Sequence, residues 1–200
     1  MNIMYETERI ILTPFDRSIA YNSDYENWFY DKDVTKYNHW GLFPQSRTKE
    51  EKFLDMCESG DSDLVLAIMI KEHNDHANHF DGLHIGNLSL QRINWIYRSA
   101  EYAITIGNKN YWNKGIGYEA SLLLFYHGFE RMNLHRIWTG TADLNIGMKE
   151  LAIKLKMEYE GCLIDGMFLD GKYTDIYQYA LLEEYWRGKE LCQKAKNLMI

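Results

Sequence analysis

Tyr111-Trp112-Asn113-Lys114-Gly115-Ile116-Gly117-Tyr118-Glu119-Ala120 opens a helix out of a glycine-bearing loop. Before it, Ala100-Glu101-Tyr102-Ala103-Ile104-Thr105-Ile106 alternates partly, as a strand does. After it, Ile116, Ala120, Leu123, Leu124 and His127 share one helical face. Leu122, Phe125 and Phe129 widen that stripe and predict a largely buried helix. Strand, loop and helix start in this order form an anion site. Unpaired N–H groups of the first turn point outward, and the helix dipole adds partial positive charge. Glycines allow a diphosphate to approach the backbone, and Lys114 adds a mobile cation.

Spacing alone leaves three readings of this loop. A dinucleotide loop needs G-x-G-x-x-[GA] within a βαβ unit. Ala120 stands three residues after Gly117, as that pattern allows, but three strands in a row precede the loop. A Walker loop needs G-x-x-x-x-G-K-[ST], which is absent. The third reading is a loop with incidental glycines.

Working outward, Arg9-Ile10-Ile11-Leu12-Thr13-Pro14 reads as a first strand stopped by proline. Residues 16–58 have a broken helical period. Tyr21, Tyr25, Trp28 and Phe29 recur at three- and four-residue steps and predict one buried helix face. A loop, residues 38–44, follows. Thr48, with Glu51 three residues on, reads as the capping box of a second helix. Leu64-Val65-Leu66-Ala67-Ile68-Met69-Ile70 is a continuous apolar run, as in a central strand. It pairs as a hairpin with residues 84–90 around a long polar tip. Residues 136–141 form a strand and 148–157 a helix. Residues 161–182 form a hairpin turned at Asp170-Gly171. The order β-αα-βββ-α-β-α-ββ predicts a mixed α/β fold, with helices on both faces of a central sheet. One domain is expected over residues 1–186, with 187–200 as a C-terminal helix or tail that a homodimer could use.

Composition sets the class. Of 200 residues, 46% are hydrophobic and 26% charged, as in a soluble globular domain. No run of about 18 apolar residues occurs, so no membrane span is expected. The net charge is −7 and no basic stripe appears, which argues against nucleic acid. Cys57, Cys162 and Cys192 form no CxxC pair and read as reduced thiols of a cytoplasmic protein. The first six residues carry acids without an apolar core, so no secretory signal is expected. His73, His76 and His79 sit among Asn and Asp on the polar tip and read as a solvated loop, so no metal is expected.

Four stretches together resemble the GNAT N-acetyltransferases, and within them the ribosomal-protein N-terminal and spermidine acetyltransferases. They are Tyr97-Arg98-Ser99-Ala100-Glu101, Tyr111 to Ala120, Asn133-Leu134-His135-Arg136-Ile137, and Asp170-Gly171-Lys172-Tyr173-Thr174-Asp175. They occur in the family's order over residues 5–186. The resemblance implies the GNAT fold and acetyl-CoA as co-substrate. It also implies direct attack of a primary amine on the thioester. The amine would belong to a small molecule (an amino sugar or nucleotide sugar, a polyamine, a drug amine) or to a protein N-terminus.

By the same resemblance, Trp112, Asn113, Lys114, Gly115, Ile116, Gly117 and Tyr118 would hold the pyrophosphate. Ile104 and Ile106 would lie beside the pantetheine arm, in a splay between the fourth and fifth strands, and Asn145 would bond that arm. Glu101 is the candidate general base, with His135 as a less favoured one. His39, Trp40 and Phe43 are candidate acceptor contacts. One departure stands out. The family's tyrosine acid, seven residues after the asparagine, is here Ala152, and Lys156-Met157 replaces a Gly-Phe pair. A displaced tyrosine such as Tyr159, or water, would then protonate the thiolate. The departure also motivates a rival reading, a catalytically weakened module that binds acetyl-CoA. A nicotinamide-dependent enzyme is a weaker third.

Overall fold

The loop singled out above leaves the middle of an eight-stranded sheet. The computed structural model describes residues 2–38, 46–60, 63–71, 82–188 and 190–200. The strands are β1 (Tyr5–Glu6), β2 (Ile10–Pro14), β3 (Leu64–Ile70), β4 (Leu83–Asn94), β5 (Ser99–Ile106), β6 (Arg136–Ala142), β7 (Glu158–Leu169) and β8 (Lys172–Leu182). Their spatial order is β1-β2-β3-β4-β5-β6-β8-β7. Every neighbouring pair is antiparallel except β5 with β6, which is parallel. The short β1 was not anticipated, so the expected fourth and fifth strands are β5 and β6.

Period-two alternation divides the sheet into two apolar faces. One carries Ile10, Leu12, Leu66, Ile68, Leu88, Leu90, Ala100 and Tyr102, and packs on α5 (Ile116–Tyr126). Residues 116 and 120–125 of that helix are all buried, as the wide apolar stripe predicts. The other face carries Ile11, Val65, Ala67 and Met69. It packs on α1 (Arg17–Tyr21), α2 (Tyr25–Trp28) and α4 (Arg47–Ser59). Strand β3 is therefore covered on both faces, which explains its unbroken apolar run.

Three local expectations need correction. The single aromatic helix face is split, because the chain breaks at Asn22–Asp24 and the helical phase restarts. Tyr25 and Trp28 are buried, while Tyr21 is 49% exposed. A third short helix, α3 (Lys32–Thr35), follows. The cap of α4 is Ser46, whose hydroxyl accepts from the Lys49 N–H, rather than Thr48. The helix predicted from Met148 starts earlier, as α6 (Ile146–Lys154).

At the C-terminus, α7 (Glu183–Gly188) and α8 (Leu191–Leu198) pack on α5. Trp186 is fully buried and stacks on Phe129, and Leu191 and Ala195 enter the same core. The Ile200 N–H donates to the Glu6 carbonyl, 3.1 Å away. The expected boundary at 186–187 thus falls inside a packed segment. His73, His76, His79 and the predicted tip lie outside the described residues. Among the described residues, no group of His, Cys, Asp and Glu is arranged to hold a metal, and no helix is long and apolar enough to cross a membrane.

Candidate active site

Strands β5 and β6 pair at Ser99–Arg136, Ala100–Ile137 and Glu101–Trp138, and no further. Beyond Glu101 they fork. Strand β5 continues to Ile106 paired only with β4, and β6 continues to Ala142 paired only with β8. The ladder alternation says which backbone groups face the gap. Gly107 donates to Ile85 on the β4 side, whereas Arg98 accepts from His135 and Arg136 on the β6 side. Counting by twos, the main-chain groups of Ile104 and Ile106 point into the fork. The Ile106 carbonyl is taken by the Trp112 indole N–H at 2.7 Å.

The loop Asn108–Gly115 closes one end of the fork. A 3-10 turn spans Lys109–Tyr111. Asn113 and Gly115 are left-handed, with φ of 58° and 77°. Helix α5 then begins at Ile116 with no side-chain cap, so the N–H groups of its first turn have no such acceptor. Lys114 rests its ammonium over the Tyr111 ring. Gly107 has no room for a side chain, because a Cβ there would lie 1.8 Å from the Trp28 ring.

An ion pair that sequence reading missed fixes the helix start. Glu119 is 5% exposed. It accepts from Thr7 Oγ1 at 2.6 Å and from Arg9 Nε at 2.7 Å, and Arg9 Nη1 reaches the Lys114 carbonyl at 3.1 Å. Burying Glu119 without Arg9 and Thr7 would leave a charge unpaired. On the far side, Lys109 is held by Asp31 and Asp33, both at 2.8 Å, which ties the loop to α3.

Glu101 sits at the fork itself. Its side chain faces away from α5, on the face opposite its buried neighbours Ala100 and Tyr102. Burial pushes its carboxyl above the usual glutamate range, Arg92 opposes the shift, and Asp63 adds to it. Arg92 Nη1 lies 3.1 Å from Oε2, an ion pair by distance. It lacks hydrogen-bond alignment, however, and Oε2 is a buried atom with no hydrogen-bond partner among the described residues. A carboxylate held this way is open to an ammonium. Trp138, directly across the pair, shares its face.

Asn145 N-caps α6, its Oδ1 accepting from the Met148 N–H at 3.2 Å, so only its amide nitrogen remains to donate elsewhere. Leu151 of α6 and Ile104 of β5 both come within 4 Å of where a Gly117 Cβ would be. The start of α5 thus meets the middle of α6 and Ile104 of β5 beside the fork. Ala152 is fully buried in the core. Tyr159 lies on edge strand β7, separated from β6 by β8. That places it about 10 Å from β6 by strand spacing alone. Its ring packs on Tyr177 and Tyr179. His135 sits at the entry to β6 with Nδ1 3.9 Å from Glu183. His39, Trp40 and Phe43 lie outside the described residues.

The family model of the acetyltransferase (GNAT) domain matches residues 9–158. The chain belongs to the GNAT acetyltransferase family. Uncharacterized N-acetyltransferase YnaD of Bacillus subtilis is 27% identical to this GNAT enzyme over 180 residues, 90% of this chain and 97% of that protein. Spermidine N(1)-acetyltransferase of Vibrio cholerae is 31% identical over 107 residues, 52% of this chain and 60% of that protein. Among solved structures, the ribosomal-protein alpha-N acetyltransferase RimL in complex with coenzyme A aligns with a TM-score of 0.76 at 17% identity. That alignment covers 90% of this chain and 98% of the other and shows a shared fold. The GNAT chain is thus an N-acetyltransferase by family.

Proposed function

We propose that this enzyme transfers the acetyl group of acetyl-CoA to a primary amine, with both reactants meeting at the β5–β6 fork. The observation that carries this reading is the fork itself, with backbone groups of Ile104 and Ile106 turned into it and the uncapped start of α5 at its end. The N–H groups of Gly115, Ile116, Gly117 and Tyr118 suit a pyrophosphate. Lys114 swings off Tyr111 to add charge, and Asn113 supplies the left-handed turn that aims them. Trp112 acts as a brace, through Ile106, and the Asn145 amide nitrogen donates to the arm.

The amine attacks the thioester carbonyl and the coenzyme thiolate leaves. Glu101 takes the proton that the ammonium must lose, at Oε2. An upward-shifted carboxyl is better matched to that task near neutral pH than an ordinary one. Alignment of the two reactants supplies the larger share of the rate, up to about 7–11 kcal/mol. With alanine at position 152, water protonates the thiolate. A thiolate of ordinary pKa, about 8.5, leaves well without an acid. The relatives named for spermidine and for a ribosomal protein support amine acceptors of either a small molecule or a protein N-terminus.

The test is thiol release from acetyl-CoA across an amine panel, beside calorimetry with coenzyme A and NAD. Turnover of at least one amine class with coenzyme A binding is expected. Binding of acetyl-CoA without turnover of any amine would support the binding-module reading instead.

A further inference from the structure

On the face that carries Glu101, which is apolar across β2 and β3, strands β4 and β5 carry uncharged polar side chains, among them the buried Ser89. Register sets Gln91 opposite Glu101, Ser89 opposite Ala103 and Asn87 opposite Thr105. Opposite residues are about 5 Å apart and each two-residue step advances roughly 6.7 Å. Ser89 therefore lies one step from Glu101, and Asn87 and Thr105 two steps, about 13 Å. Ser89, Gln91 and Thr105 use no side-chain hydrogen bond among the described residues.

Asn87 is held in one orientation by His84, which lies beside it on the same face. His84 Nε2 lies 3.1 Å from the Gly86 carbonyl and 2.9 Å from Asn87 Oδ1. A carbonyl only accepts, so Nε2 carries the proton, and Nδ1 accepts from the Ser23 hydroxyl at 2.9 Å. Burial holds this imidazole neutral, with its pKa down at about 4. Asn87 thus spends its oxygen on His84 and presents its NH2 as a donor.

We infer that the acceptor is a primary amine bearing neutral hydroxyl groups, an amino sugar in chemical class, bound by Ser89, Asn87 and Gln91 with its amine at Glu101. This inference rests on the acetyl-transfer reading of the fork. A polyamine fits this row poorly. Among the described residues of this row Glu101 is the one acid, and the adjacent Asp63 already accepts from the Arg92 N–H at 2.8 Å. The Arg92 guanidinium would repel a second ammonium. A peptide binds most readily by adding to a free strand edge. Here β4 is paired on both sides, and the open edge of β5 faces the coenzyme slot.

The test compares glucosamine, spermidine, propylamine and a short peptide with a free N-terminus, by thiol release from the intact enzyme. Glucosamine is expected to exceed the other three in kcat/KM by tenfold or more. Ser89→Ala should raise KM for glucosamine about 3- to 10-fold, the worth of one lost hydrogen bond, with kcat nearly unchanged. Asn87→Ala should do the same, and Ser89→Ala keeps the question open to test if that variant fails to fold. Spermidine or the peptide outperforming glucosamine would overturn the inference and leave acetyl transfer standing. An unchanged KM in both variants would also overturn it. Acetyl-CoA binding with no turnover of any of the four would remove the transfer reading, and this one with it.

Discussion

Glu101 and Gly107, six residues apart in sequence from one end of the fork to the other, each depend on one atomic contact. Glu101 sits at the fork with an Oε2 that meets Arg92 as an ion pair but takes no hydrogen bond among the described residues, and its raised pKa means that it carries a proton at pH values where an ordinary glutamate has lost it. The base form is the deprotonated one. Activity should therefore fall on the acid side through an apparent pKa above the usual glutamate value of about 4.3. Glu101→Gln keeps the shape and removes the base. It should lower kcat by about 10²–10⁴-fold and abolish the acid limb of the pH–rate profile, and an unchanged profile would exclude Glu101 from proton transfer. Gly107 is constrained by Trp28. Gly107→Ala places a methyl carbon inside that ring, so Trp28 and α2 must shift. A loss of roughly 1–3 kcal/mol or more is expected, measured as a lower urea midpoint. A stability equal to the parent would mean that Trp28 moves freely.

At the scale of elements, the start of α5 is the part that makes this sheet an acyl-transfer scaffold. Gly115 turns the chain at φ 77°, and Arg9 and Thr7 hold Glu119 so that the first turn cannot rotate. Gly115→Ala meets the strain of a left-handed residue, about 1–2 kcal/mol, and its methyl group would stand beside the exposed N–H groups. Coenzyme A affinity should drop about tenfold or more by calorimetry, the cost of one charge-assisted hydrogen bond, with only a modest fall in melting temperature. An equal loss in both would mark Gly115 as a folding residue only. The elements legible in the sequence are those with a local signature. The apolar run of β3, the stripe of α5 and the left-handed Asp170-Gly171 turn, with φ of 48° and 82°, all appear where expected. What stayed hidden depends on distant partners. Arg9 and Glu119 are 110 residues apart, and nothing near either names the other. The row of Asn87, Ser89 and Gln91 acquires meaning only once the β4–β5 register is known. The break at Asn22–Asp24 has no proline or glycine to announce it.

At the scale of the whole molecule, two histidines are folded into places where a charge is unfavourable. His84 lies beside Asn87 on the same sheet face, among Phe15, Tyr25 and Trp28, and His127 ends α5 against the Tyr5 hydroxyl. Burial pushes both down to about 4, and Arg131 adds to the effect at His127. In the unfolded chain each has its ordinary value of about 6.5. Between these values the unfolded state binds more protons than the folded one. Their contribution to stability is then complete above pH 6.5 and is lost as pH falls toward 4. For His84 the full span is on the order of 3 kcal/mol, of which roughly 2 kcal/mol is gone by pH 5. His127 is more exposed and adds less. Carboxylates held low by partners, Asp31 beside Lys109 and Glu160 beside Arg136, lose their share only below about pH 4.5. The interval from pH 6.5 to 5 therefore lies above these two carboxylates and within the span of the histidines, while Glu50 and Glu101, raised by burial, act in the opposite direction. Urea unfolding at pH 7, 6 and 5 should show a falling midpoint in the parent. His84→Gln should be less stable at pH 7, because Asn87 and Ser23 lose their partner, yet should show a clearly shallower fall between pH 6.5 and 5. A variant with the parent's slope would mean that the acid sensitivity lies elsewhere, and that the Ser23–His84–Asn87 chain is not the neutral support on which the acceptor face rests.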